Sequence, residues 1–232
     1  MLYKRIGNRH IFFNKYSFCL KGKLRKYVTL GTNCFPRTKL TKFGIKAKKA
    51  DGELSYPFDL CFIPLKSVSD ILQNDFIDYY DGLTFDNDKN IWTNKKYDIF
   101  YWHDKNIDFE NFKIRYNNRI ENFKSILSSV ENLNFISVIF NEDYDENLYK
   151  TVFNSLAKYC AGDFKYLIVN IKSNPKAKDL FKIANNIYYK ELKEPCENYK
   201  ERWTDGNIDK IVPNMYAFYE QYVDTVIELD YL

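Results

Sequence analysis

The chain has 232 residues, 45% hydrophobic and 18% aromatic, with 35 Lys or Arg against 31 Asp or Glu and a net charge of +4. That is enough apolar material for a substantial core at roughly 25 cal/mol per Å² buried, which argues against disorder; the length favours one domain over two. No stretch approaches the roughly 20 apolar residues that span a bilayer, and Ile11-Phe12-Phe13 is broken by Asn14-Lys15 before a signal-peptide core can form.

The modest net charge hides a polarity. Residues 1–50 carry fourteen Lys or Arg and no acidic residue, which leaves 21 basic and 31 acidic residues in the remainder. Such a segment either holds a local positive potential that attracts anions, or finds its acidic partners on folding. The five cysteines (Cys19, Cys34, Cys61, Cys160 and Cys196) are widely spaced and contain no CxxC pair. An odd count with that spacing argues against a disulfide framework and a structural zinc site, and a reducing cytoplasm fits best.

In chain order, a basic segment over 1–25 precedes an α/β domain over 26–232. Residues 27–31 read as a strand, followed by a helix from Phe35 to Phe43 with Pro36 in its first turn and Gly44 as its stop. Leu54 to Phe58 reads as extended, and Leu65 to Asn74 as a helix with Leu65, Val68, Ile71 and Leu72 on one stripe. The Asp- and Asn-rich stretch 78–95 reads as a loop over the site, and 97–102 as an aromatic strand. The longest helix is placed at Phe109 to Val130, on the stripe Phe112, Tyr116, Ile120, Phe123 and Leu127. Strand 135–140, helix 146–160, strand Tyr166 to Ile171, a strand near Ile187 to Leu192 and a terminal helix broken or begun at Pro213 complete the alternation. The pattern predicts a single-domain α/β fold, a mainly parallel sheet flanked by helices, with a nucleophile at the turn after the first core strand.

That turn is Tyr27-Val28-Thr29-Leu30-Gly31-Thr32-Asn33-Cys34. A thiol there sits at a helix N-terminus in a basic segment, both of which favour the thiolate. The backbone N–H groups of Thr32, Asn33 and Cys34, with the Asn33 amide, are candidate oxyanion donors, and Gly31 permits unusual backbone angles. Only two histidines exist, His10 and His103, and His103 follows the aromatic strand. His103 is therefore the candidate base; otherwise it is a structural histidine of an aromatic cluster.

The segments Tyr27 to Cys34, Ser55-Tyr56-Pro57-Phe58-Asp59 and Trp102-His103-Asp104, with the helix Arg115 to Phe123, resemble the family described as putative papain-like cysteine peptidases, over roughly residues 26 to 140. The resemblance implies Cys34 and His103 in one pocket, with Asp59 at the family's Pro-Phe-Asp position. Asp59 either orients His103 or caps a turn. Asn141, after strand 135–140, is the other candidate orienter; it gives the order Cys, His, Asn of papain-like enzymes, whereas Asp59 gives Cys, Asp, His. Asp104 reads as a turn or helix cap.

Arg115 and Arg119, four apart on one helix, are candidate substrate clamps, with an exposed helical face as the bland alternative. Cys61 reads as a resolving thiol or, more simply, buried core, and Lys46, Lys48 and Lys49 as a solvated loop. No GxGxxG, GxxxxGK[ST] or HExxH occurs, so no nucleotide cofactor or metal is expected. The reading is a cysteine-dependent hydrolase or acyltransferase acting on a peptide, acyl or anionic glycan-type substrate. The alternatives are a non-catalytic module binding a sugar phosphate or, less favoured, nucleic acid, and a surface-polysaccharide enzyme without a covalent cysteine intermediate.

Overall fold

The computed structural model describes residues 25–202 and 215–232, together with the backbone of an antiparallel hairpin, β1 (Leu2–Ile6) and β2 (Arg9–Phe13). His10 pairs with Arg5 in that hairpin, which composition did not announce. The side chains of the first 24 residues, Cys19 among them, and Pro213 lie outside the described residues.

The central sheet runs in the order β3 (Lys26–Thr29), β7 (Leu133–Phe140), β8 (Phe164–Lys172), β10 (Ile187–Lys193), β9 (Phe181–Ala184). The first four strands are mutually parallel and β9 is antiparallel to β10. Every residue of β7 is buried, as for a strand covered on both faces.

The strand period of two divides the core. Val28, Leu30, Phe135, Ile139, Tyr166 and Ile168 face one cluster with the helices α2 (Leu65–Gln73), α3 (Phe109–Leu127) and α4 (Glu146–Ala157). Tyr27, Ile136, Val138, Phe140, Leu167 and Val169 face a second, covered by α1 (Phe35–Lys42) and α6 (Met215–Glu228), with Tyr199 of the short α5 (Tyr199–Arg202). Carboxylate caps start two of these helices: Asp108 accepts from Asn111 N–H and Asp145 from Leu148 N–H, both at 2.9 Å. Among the described residues, no helix is long and apolar enough to cross a membrane.

The stretch 78–95 is not a loop. It forms β4 (Leu83–Asp86) and β5 (Ile91–Asn94), which with β6 (Ile99–Phe100) make a separate antiparallel sheet. Its Asn and Asp residues are hairpin chemistry: Asn90 and Asp98 take left-handed φ of 55° and 52°, and Asn94 Oδ1 accepts from the N–H groups of Lys96 and Tyr97. The strand expected over 97–102 shrinks to two residues in this small sheet. Leu54 to Phe58 joins no strand, and Pro57 to Leu60 form a turn.

β3 is an edge strand, and its outward carbonyl is covered by a charge. Lys46 Nζ donates to Tyr27 O at 2.7 Å, pairs with Glu53 at 2.8 Å and is buried. Of the lysine run assigned to solvent, Lys48 and Lys49 are exposed while Lys46 closes the sheet margin, because an unpaired edge must be covered. The basic segment likewise meets partners on folding. Arg25 pairs with Asp163 and Lys26 with Glu131, at 2.8 and 2.6 Å, while Lys39 and Lys42 lie over the Tyr219 and Tyr216 rings at 3.6 and 4.9 Å.

Candidate active site

The Cys34 turn is held by hydrogen bonds on both sides. Leu30 N–H donates to Ile136 O at 2.9 Å, the last backbone bond that β3 sends to β7. Gly31 then turns with φ +49°, and an added Cβ there would meet Ile63 Cγ2 at 2.4 Å, so the position requires glycine on both counts. Thr32 O accepts from Ile63 N–H at 3.3 Å, and Thr32 Oγ1 donates to Val138 O. Asn33 is engaged throughout: its Oδ1 accepts from Phe35 N–H at 2.8 Å, and its Nδ2 donates to Thr32 Oγ1 at 2.9 Å and Val138 O at 3.0 Å. The Asn33 amide and the Thr32 hydroxyl therefore build the turn and are not free to reach an oxyanion. The backbone N–H groups of Thr32 and Asn33 take no partner among the described residues, while that of Cys34 faces its own Sγ.

Cys34 occupies the N-cap of α1 and is half-buried. Burial pushes its thiol up to about 11; its own backbone N–H and Lys39 oppose this and are outweighed. The resting cysteine is thus protonated at neutral pH.

Asp59 is buried and committed to this same corner. Its Oδ1 accepts from Thr29 Oγ1 at 2.5 Å and its Oδ2 from Tyr56 N–H at 2.9 Å, with Arg37 Nε of α1 at 3.8 Å. It ties the end of β3 to the first turn of α1 and makes no bond to His103 among the described residues. Fully buried Cys61 donates to Pro57 O at 3.5 Å, and burial raises its thiol strongly, so it is core material.

The histidine segment reaches the site through a backbone ladder. Phe62 and Phe100 form an antiparallel bridge, each donating to the other's carbonyl at 3.0 and 2.9 Å, and the next residue, Ile63, bonds Thr32. His103 follows three residues after Phe100 and is exposed. Its pKa is lowered, first by desolvation, then by Arg119 and Lys105, against the opposing charge of Asp104. His103 makes no hydrogen bond to Cys34, Asp59 or Asn141 among the described residues, so this structure holds the thiol and the imidazole on neighbouring segments without joining them.

Asp104 is the anchor of that segment. Its carboxylate is fully buried, accepts from Tyr116 Oη at 2.8 Å and Arg119 at 3.3 Å, and is also bonded by Arg115. The two arginines thus hold the histidine segment against α3, where the sequence offered them as substrate clamps. Arg115 remains 46% exposed at its side chain and Arg119 only 11%, so Arg115 alone keeps substantial contact with solvent. Their spacing of eleven and fifteen residues from Asp104, on one helix face, was the available signal.

Asn141 follows Phe140, whose ring meets that of Phe35 at 6.3 Å, and makes no hydrogen bond to His103 among the described residues. It ends β7 in a left-handed conformation, φ +51°, and its Oδ1 accepts from Ser173 N–H at 3.0 Å, tying β7 to the end of β8. A cavity of about 570 Å³ opens on that side, lined by Ser173, Pro175, Lys178, Lys193, Gln221 and Asp224; neither Cys34 nor His103 contributes to it. Among the described residues no group of three or more His, Cys, Asp or Glu is placed to hold a metal.

These features define an α/β protein whose candidate site lies where the first parallel strand turns into a helix, at the carboxyl edge of the sheet. The chain belongs to the putative papain-like cysteine peptidase family, whose model matches residues 25–174. That stretch runs from the start of β3 past the end of β8 and contains Cys34, Asp59, His103, Arg115, Arg119 and Asn141. No curated protein and no solved structure matches the chain significantly.

Proposed function

We infer that the protein is a cysteine-dependent hydrolase or acyltransferase with Cys34 as nucleophile and His103 as general base and acid. The observation that carries this reading is the Cys34 turn: a half-buried thiol at a helix N-terminus, preceded by N–H groups that the fold leaves unpartnered. Sγ attacks the substrate carbonyl while His103 takes the thiol proton, the backbone N–H groups of Thr32 and Asn33 receive the oxyanion, and His103 returns the proton to the leaving group. The acyl-cysteine then passes to water in hydrolysis or to an acceptor nucleophile in transfer, and the thiol is regenerated. A neutral imidazole and a protonated thiol are the right partners for this exchange, since proton transfer accompanies attack.

In this reading His103 meets the thiol from the segment that Asp104 anchors against α3. Asp59 then acts as a positioning residue for the Cys34 turn, and Asp104 as one for His103. The four described cysteines are free, which suits a reducing cytoplasm.

Labelling with an acyl-type thiol-directed probe tests the reading. Cys34→Ser and His103→Ala are each expected to abolish labelling while circular dichroism stays unchanged. Undiminished labelling of Cys34→Ser rejects the assignment.

A further inference from the structure

His103 stands on a short loop between the end of β6 at Phe100 and the start of α3 at Phe109. Tyr101 and Asp104 are buried, whereas Trp102, His103, Lys105 and Asn106 are exposed and have no core to hold them. Asp104 fastens the middle of the loop, and Trp92 of β5 fastens both ends. Its carbonyl accepts from Tyr101 N–H at 3.1 Å, and its indole Nε1–H donates to Ile107 O at 2.8 Å. A further tie lies beside it. Asn90, at the end of the turn between β4 and β5, donates from its amide to Asn106 Oδ1, and both residues hold left-handed φ, 55° and 56°.

The indole is itself held by rings from two elements. Phe85 of β4 meets it at 5.2 Å, and Phe109 and Phe112 of α3 at 5.6 and 5.5 Å. A side chain packed in this way keeps one rotamer, so the span from Tyr101 to Ile107 is set by a rigid group and not by the loop's own backbone. No hydrogen bond joins Trp92 to His103 or Cys34 among the described residues, so its influence on the reaction passes through the loop.

Resting on the reading of His103 as general base, we propose that Trp92 is a positioning residue for the reaction: by bridging the two ends of the loop it fixes where the imidazole stands relative to Cys34. Proton transfer needs the imidazole within about 3 Å of the sulfur or of one bridging water, so a small displacement of the loop lowers the rate while the fold survives. The β4–β5 hairpin, remote from the thiol along the sheet order, thereby takes part in the chemistry through one indole N–H and one carbonyl.

The test compares two reactions of Cys34 in the full chain: labelling by the acyl-type probe, which needs His103, and alkylation by iodoacetamide, which needs only the thiolate. Trp92→Phe keeps a ring and the backbone carbonyl and removes the N–H. It is expected to slow acyl labelling roughly tenfold at neutral pH and to leave alkylation within about twofold. Its acyl-labelling profile should also steepen toward the roughly tenfold rise per pH unit of an unassisted thiol, so that the deficit narrows in alkali. Asn90→Gly, which tolerates the left-handed φ and lacks the amide, should give a loss of the same kind, about threefold. Val152→Ala, a buried change on α4, should lower the urea midpoint and leave the ratio of the two rates unaltered. Undiminished acyl labelling of Trp92→Phe, or equal slowing of both reactions, overturns the proposal. If His103→Ala still abolishes labelling in that case, the base assignment survives; acyl labelling that persists in His103→Ala removes both.

Discussion

A thiol raised to about 11 is nearly all protonated at neutral pH, so the reactivity of Cys34 toward a small alkylating reagent should climb with alkalinity. Close to a tenfold gain per pH unit is expected from about pH 7 to 10, because the thiolate fraction grows by that factor below the pKa. A plateau already below pH 8, measured by stopped-flow alkylation, would mean a preformed thiolate–imidazolium pair. At Gly31, alanine would hold an unfavourable positive φ and push a methyl into Ile63; Gly31→Ala should cost about 3 kcal/mol, read as a lower urea midpoint at unchanged slope. Cys34 and Gly31 could be read from the sequence, because a strand ending in a glycine turn before Pro36 marks its own geometry. Asp59 could be named but not understood: its partners Thr29, Tyr56 and Arg37 come from three segments, and only folding brings them to one carboxylate.

Elements with a strong period were legible, and those built on turn chemistry were not. The helix α2 and the strands β7 and β8 sit within a few residues of their expected bounds, since their apolar spacing admits few alternatives. The β4–β5 hairpin was hidden because its Asn and Asp residues read as loop, although left-handed turns are where those residues are tolerated best. Between elements, Asp104 fastens the histidine segment to α3. Asp104→Asn removes the charge facing two arginines at a site with no solvent, so a loss of about 3 kcal/mol is expected in chemical denaturation. The same variant should slow acyl-type labelling of Cys34 more than simple alkylation, because only the former needs His103 in place. Equal slowing of both would assign Asp104 to stability alone.

At the level of the whole molecule, part of the charge imbalance along the chain is met in three dimensions among the described residues. Arg25, Lys26, Arg37 and Lys46 each find a carboxylate, two of them more than a hundred residues away, so a run of like charge along the chain does not translate directly into surface potential. The cysteine and histidine segments both belong to the single connection between β3 and β7, whereas β8, β10 and α6 supply scaffold and cover. The proposed chemistry is therefore confined to one crossover, which also supplies Ile63, Val68, Phe112 and Phe123 to the core. A related protein could acquire a different specificity through changes confined to that one crossover, so long as its helices keep their apolar faces against the sheet.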